Sequence, residues 1–357
     1  MNPASGRFFG SLHGLRGLLA LWVVVFHREA ANSGLLHFVS YGYVSVDLFF
    51  CLSGYVLMQT HAAEFRTLGQ AAIRRFLLLR WWRTYPVALA CLLLAVGVYV
   101  VHDGKPPHLR KLLESALLLE GWAKPGLGIN VPIWSLGVEW LGYLAFPVIA
   151  CASWSMAPRA ALSLALAIVS TEMLILLVLQ DGELGLISGP PTVLRMAAGF
   201  SAGCLLWRSH AALVTVGAWR DLTMVTAVAA LTTVLLFLPP ACAVLPLLAI
   251  VHAAARPGPG VNRLLTARPV MFLGRISFAL YLCHSPLRKL LIYSGWFEAG
   301  WMEVVSVAIF YAGSILLAVG LHGTIEEPLR VFGRRLVGPF KPAVSWIDPP
   351  SPSAPTV

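Results

Sequence analysis

The chain has 357 residues, 58% of them hydrophobic and only 12% charged, with a formal net charge of +10 and a mean hydropathy of +0.77. A soluble domain carries roughly a quarter charged residues, and a membrane β-barrel shows alternating segments of about ten residues; the sequence has neither character and reads as an all-α polytopic membrane protein. The basic excess then expresses the positive-inside rule rather than nucleic-acid binding, and six scattered cysteines without a C-x-x-C pair suggest neither a zinc site nor a disulfide framework.

The apolar stretches predict about ten spans, at 12–28, 41–60, 84–101, 131–152, 160–180, 191–208, 222–239, 241–256, 270–293 and 303–325. The first, "LHGLRGLLALWVVVFH", carries Arg16 and His27. Eleven residues at about 100° each make three turns plus about 20°, so the two share a face and stand about 16 Å apart. Arg16 within the segment and no small-residue cleavage site after it argue against a cleaved signal peptide. The second, "GYVSVDLFFCLSGYVL", holds Asp47, which needs a cationic or hydrogen-bonding partner in hydrocarbon. Its Ser53-Gly54 pair is read as close helix packing.

"IRRFLLLRWWRTYP" sets Arg80 and Arg83 on one helical face at the start of the third span, with Pro86 behind them. They serve either as positive-inside anchors or as a clamp for phosphates. The segment 112–120 is too short and acidic to span and reads as an interfacial or re-entrant helix, in a loop (102–130) that could cap an external site. The fourth span opens "PIWSLGVEWLGYLAFP", with Trp134, Ser135 and, one turn on, the intramembrane Glu139. "GRISFALYLCHSPL" brings Tyr281 and His284 into the ninth span, and "TIEEPLR" ends the tenth with Glu326, read as solvated, and Glu327.

Ten spans put both termini on one side. With that side cytoplasmic, sixteen of the 26 Lys and Arg fall in inner segments and seven in outer ones, the bias of cytoplasmic termini. Residues 1–338 are taken as one transmembrane domain, and the Pro-rich 339–357 as a disordered tail.

Five motifs now stand in order: Arg16 with His27 ten residues between them; Phe49-Phe50-x-x-Ser53-Gly54 preceded by Val46-Asp47; Arg80-x-x-Arg83-x-x-Pro86; Trp134-Ser135-Leu136-x-x-Glu139; and Ser277-Phe278-x-x-Tyr281-Leu282-x-His284. Together they resemble the acyltransferase 3 family of integral membrane O-acyltransferases, here without the SGNH esterase-like domain that many members carry. Ser45 stands where a Gly often precedes the Val-Asp pair. The resemblance implies ten core helices in a bacterial inner membrane. It implies transfer of an acyl group, commonly acetyl from acetyl-CoA, to a carbohydrate on the far side, with His27 essential and Arg16 close behind.

On that reading His27 is either a general base for a sugar hydroxyl or an acyl carrier. Glu139 or Asp47 would orient it and stabilise its protonated form. Arg16, Arg80 and Arg83 would hold the polyanionic acyl-CoA, and Trp134, Ser135, Tyr281 and His284 would serve substrate binding. Membrane lipids are the further partner, and no metal is implied. A transporter or flippase of glycan-linked or acylated lipids is the alternative that intramembrane charges also suit, and a structural subunit of a polysaccharide assembly complex is another.

Overall fold

The structure is a computed structural model that describes residues 3–29, 37–122, 128–185, 187–210, 219–295 and 300–338. Among them there are helices and no strands. The helices are α1 (Pro3–Glu29), α2 (Ser45–His61), α3 (Gln70–Asp103), α4 (Leu109–Ala116), α5 (Ile133–Trp154), α6 (Pro158–Leu179), α7 (Pro190–Ser209), α8 (Trp219–Phe237), α9 (Val244–Ala255), α10 (Pro259–Leu265), α11 (Arg268–Tyr293), α12 (Gly300–Leu321) and α13 (Glu327–Val337). Proline near the start opens α6, α7, α10 and α11, where a missing N–H is no loss. Gly104, at φ +67°, closes α3 in the left-handed conformation that glycine adopts without strain.

Eight of the described helices, counting α12 and α13 as one, are long and apolar enough to cross a membrane, and nine if α9 and α10, bent by 92°, make one broken span. The sixth sequence-predicted span, 191–208, corresponds to α7. This helix has the length but not the apolarity, because Arg195, Arg208 and many small residues dilute it. Protein rather than lipid surrounds it, since most of α7 is buried. The helices facing outward do the opposite: Leu174, Val178 and Leu179 of α6 and Val225 and Phe237 of α8 are exposed, as hydrocarbon contact requires.

Two crossings set the geometry, each through residues without a side chain. Gly54 of α2 lies so near α7 that a Cβ there would sit 2.0 Å from the Phe200 carbonyl oxygen, and one on Gly203 would sit 2.0 Å from that of Cys51. On the other side α1 lies parallel to α11. A Cβ on Gly17 would stand 2.4 Å from the Gly274 nitrogen, and ten residues further along both helices His27 meets His284. Close backbone approach through small residues is how helices associate where the hydrophobic effect cannot drive them together.

Some sequence expectations change. α3 begins at Gln70, so Arg80 and Arg83 lie well inside a helix of 34 residues rather than at its start. Glu326 is not solvated. It is 7% exposed and accepts a hydrogen bond from His322 Nδ1 at 3.0 Å, in a π-helical turn between α12 and α13. Of the loop 102–130, residues 123–127 lie outside the described residues, as does the tail 339–357. The last residues of that loop dock on α11 near His284. Asn130 Nδ2 donates to the Leu282 carbonyl at 3.0 Å, and Lys289 Nζ donates to that of Ile129 at 2.8 Å.

Candidate active site

The five helices α1, α2, α3, α5 and α11 enclose a cavity of about 830 Å³, counting its mouth. Arg16 comes from α1, Ser53 from α2, Arg80 and Arg83 from α3, Ser135, Glu139 and Tyr143 from α5, and Ser277 and Tyr281 from α11. Each of the five motifs therefore places a side chain on one wall of a single space, although they are spread over most of the chain.

The cavity's polar groups divide into two sets. Ser53 Oγ donates to Glu139 Oε1 at 2.5 Å, a short charge-assisted bond between α2 and α5. Ser53 was read as packing beside Gly54. Gly54 does pack, but Ser53, one residue earlier, turns to the cavity. Against that single carboxylate stand three guanidinium groups. Arg80 Nη2 donates to His61 Nε2 at 3.2 Å. Because arginine only donates, His61 carries its proton on Nδ1 and donates it to Glu64 Oε1 at 2.9 Å, and Arg75 also binds Glu64 at 2.9 Å. Arg16 and Arg83 have no ion-pair partner among the described residues, so the cavity holds more positive charge than the protein neutralises. Paired guanidiniums left open in this way suit a phosphorylated ligand.

At the opposite end of the cavity Ser135 and Tyr281 join by a hydroxyl–hydroxyl bond of 2.8 Å, and Ser135 Oγ also donates to the Pro132 carbonyl at 3.1 Å. Phe49 packs edge-on to Tyr281, with ring centroids 5.8 Å apart. Behind this wall lie the two histidines: the Tyr281 and His284 ring centres are 6.3 Å apart, and those of His284 and His27 are 4.8 Å apart. His27 Nδ1 lies 2.9 Å from the Val23 carbonyl oxygen and 3.3 Å from His284 Nε2, and His284 Nδ1 lies 3.2 Å from the Leu280 carbonyl oxygen. His27 itself does not line the cavity.

Asp47 and Trp134 lie elsewhere. Asp47 forms a bidentate pair with Arg195 of α7, with Nε donating to Oδ1 at 2.9 Å and Nη2 to Oδ2 at 2.8 Å, the residues 5% and 1% exposed. The cationic partner that Asp47 required is therefore Arg195, and neither Asp47 nor Glu139 bonds to His27. The Arg195 guanidinium lies over the Trp134 ring, 5.7 Å from its centre, and Trp134 also meets Phe50 edge-on. Trp134 thus backs the ion pair instead of lining the cavity. Sequence reading takes Ser53 for packing and singles out neither Tyr143 of the cavity nor Arg195 of the buried ion pair. The only sign of the last was a charge inside an apolar span.

Comparison with known proteins agrees with this assembly. Over 97% of its length, and 96% of the relative's, the chain is 27% identical to an acyltransferase, MdmB, of Streptomyces mycarofaciens. A protein designated an O-acetyltransferase in Staphylococcus aureus strain COL is 25% identical over 164 residues, 40% of this chain and 25% of that protein, and its counterpart in strain Mu50 matches equally. The match thus spans only a quarter of the staphylococcal proteins. No solved structure matches. Residues 9–323 match the acyltransferase 3 family model, an acyltransferase domain, and with the five motifs gathered around one cavity the chain belongs to that family of membrane acyltransferases.

Proposed function

We propose that this protein is an O-acyltransferase that moves an acyl group, most simply acetyl, from cytoplasmic acyl-CoA to a hydroxyl of a cell-surface or periplasmic carbohydrate across the bacterial inner membrane. The observation that carries this reading is the cavity itself, with three guanidinium groups around one Ser–Glu pair and a histidine pair one aromatic ring beyond its wall. The positive-inside bias of the loops favours an arginine end facing the cytoplasm, where acyl-CoA is made. Arg16, Arg80 and Arg83 would hold its phosphates.

A sugar hydroxyl is a weak nucleophile until a base takes its proton. His27 accepts that proton while the hydroxyl oxygen bonds to the thioester carbonyl carbon. The carbon–sulfur bond then breaks, and the departing thiolate takes the proton back from the imidazolium to leave as free coenzyme A. In the acyl-carrier variant the same ring attacks the thioester first and passes the acyl group to the acceptor afterwards. Since Tyr281 and Phe49 stand between the arginines and His27, the thioester reaches His27 by displacing that wall.

Purified protein in lipid nanodiscs, supplied with radiolabelled acetyl-CoA and extracted glycans, tests the proposal. Label appearing in glycan, and absent with His27→Ala, is the expected result. No transfer to any glycan fraction, together with no acylation difference in the surface glycans and secreted products of knockout cells, overturns it.

A further inference from the structure

Both histidines press one nitrogen against a backbone carbonyl: His27 Nδ1 at 2.9 Å from Val23 O, and His284 Nδ1 at 3.2 Å from Leu280 O. A carbonyl oxygen can only accept, so a bare nitrogen at either place would set two lone pairs against each other. Each ring therefore carries its proton on Nδ1. It follows that His284 Nε2 is a lone pair, and it faces His27 Nδ1 at 3.3 Å. The His27 Nδ1–H is shared between two acceptors, one from its own helix and one from α11.

We propose that His284 is a positioning residue: it holds His27 in the Nδ1–H tautomer and turn, and so assigns Nε2 of His27 as the atom that takes the acceptor's proton. This rests on the acyltransferase reading above and gives that site an atomic assignment. His284 cannot act as the base itself. It is 0% exposed and both of its nitrogens are engaged. His27 is only partly buried, and its Nε2 has no hydrogen-bond partner among the described residues.

The arrangement has the logic of a catalytic triad with a neutral third member. In a Ser–His–Asp triad a carboxylate fixes the tautomer and stabilises the imidazolium. Here both carboxylates near the site are committed elsewhere, Asp47 to Arg195 and Glu139 to Ser53. When Nε2 of His27 gains the acceptor's proton the ring becomes a cation. Its Nδ1–H is then a charged donor with two acceptors already in place, and no buried negative charge was needed to prepare them. Once the thiolate removes that proton the ring returns to the neutral Nδ1–H form. The register of α1 on α11, locked by Gly17 against Gly274, holds the two rings opposite each other.

The test compares His284→Phe, which fills the space without an acceptor, with His284→Gln, whose amide oxygen can accept the same bond. Protein with ¹⁵N-labelled histidine in nanodiscs gives ring nitrogen shifts, with His27 identified by its loss in His27→Ala. In the wild type His27 should show a protonated Nδ1 and a bare Nε2. His284→Phe should mix in the Nε2–H form and lower kcat about 10- to 100-fold, the range for losing one hydrogen bond to a charged group, with KM for acetyl-CoA unchanged. His284→Gln should recover most of the rate and the wild-type shifts. A wild-type His27 protonated on Nε2 overturns the proposal, even if no variant folds. So does a folded His284→Phe with unchanged kcat. Full activity in His27→Ala would instead overturn the catalytic reading on which the proposal rests.

Discussion

Asp47 separates two readings that the sequence could not tell apart, because a catalytic carboxylate and a buried structural one fail differently. In Asp47→Asn the Arg195 guanidinium, 1% exposed, loses the charge that holds it through bonds of 2.9 and 2.8 Å. Hydrogen bonds to charged groups contribute about 1.5–3 kcal/mol each, and the amide keeps an acceptor for one of them. Breaking a buried pair from one side costs about 3–5 kcal/mol. Glu172, which lines the same small cavity as Asp47 and Arg195, offsets part of this, so the loss should be about 3 kcal/mol. That lowers the melting temperature by roughly 5–10 °C. Removing the charge on both sides, as Asp47→Leu with Arg195→Met, should recover most of it, since a buried pair replaced by apolar groups of similar size is close to neutral. Heating detergent-solubilised protein and measuring the folded fraction by size-exclusion chromatography reads the shift, and acyl transfer is assayed on the surviving protein. Asp47→Asn with wild-type stability and no activity would refute the structural reasoning and return Asp47 to the catalytic machinery. A double variant no more stable than the single one would refute it as well.

His27→Ala should abolish transfer in a chain that still folds; normal glycan acylation in cells expressing only this variant counts against its role. Ser53→Ala should keep the fold but lower kcat/KM about tenfold, the loss of one hydrogen bond to a carboxylate, whereas Gly54→Val should fail to accumulate because its Cβ would meet backbone at 2.0 Å; wild-type kinetics for Ser53→Ala would reduce Ser53 to packing. Arg16→Lys should weaken acetyl-CoA binding although the charge remains, and Arg80→Ala and Arg83→Ala should each weaken it tenfold or more, since hydrogen bonds to charged groups contribute about 1.5–3 kcal/mol. Calorimetric titration showing unchanged affinity in all three would place the donor elsewhere.

What the sequence determined by itself is local to single helices. The shared face of Arg16 and His27 follows from eleven residues at about 100° each, and the apolar runs named the class and most of the spans. The five motifs, read in order, indicated the family that residues 9–323 match. The partners are a different kind of information. Ser53 finds Glu139 across 86 residues, Arg195 finds Asp47 across 148, and His284 finds His27 across 257. Each meeting depends on which faces of two helices touch and in what register, and glycines lacking a side chain at the crossings set that register. Hydropathy cannot report it, because a helix enclosed by protein and one facing lipid can be equally apolar. The span at 191–208 was legible as α7, but not that it lies inside the protein, where its Arg195 is tolerated because α2 brings Asp47 to it. Only the tertiary structure could decide that Asp47 braces the bundle, that Ser53 faces the cavity, and that the neighbour of His27 is another histidine rather than a carboxylate.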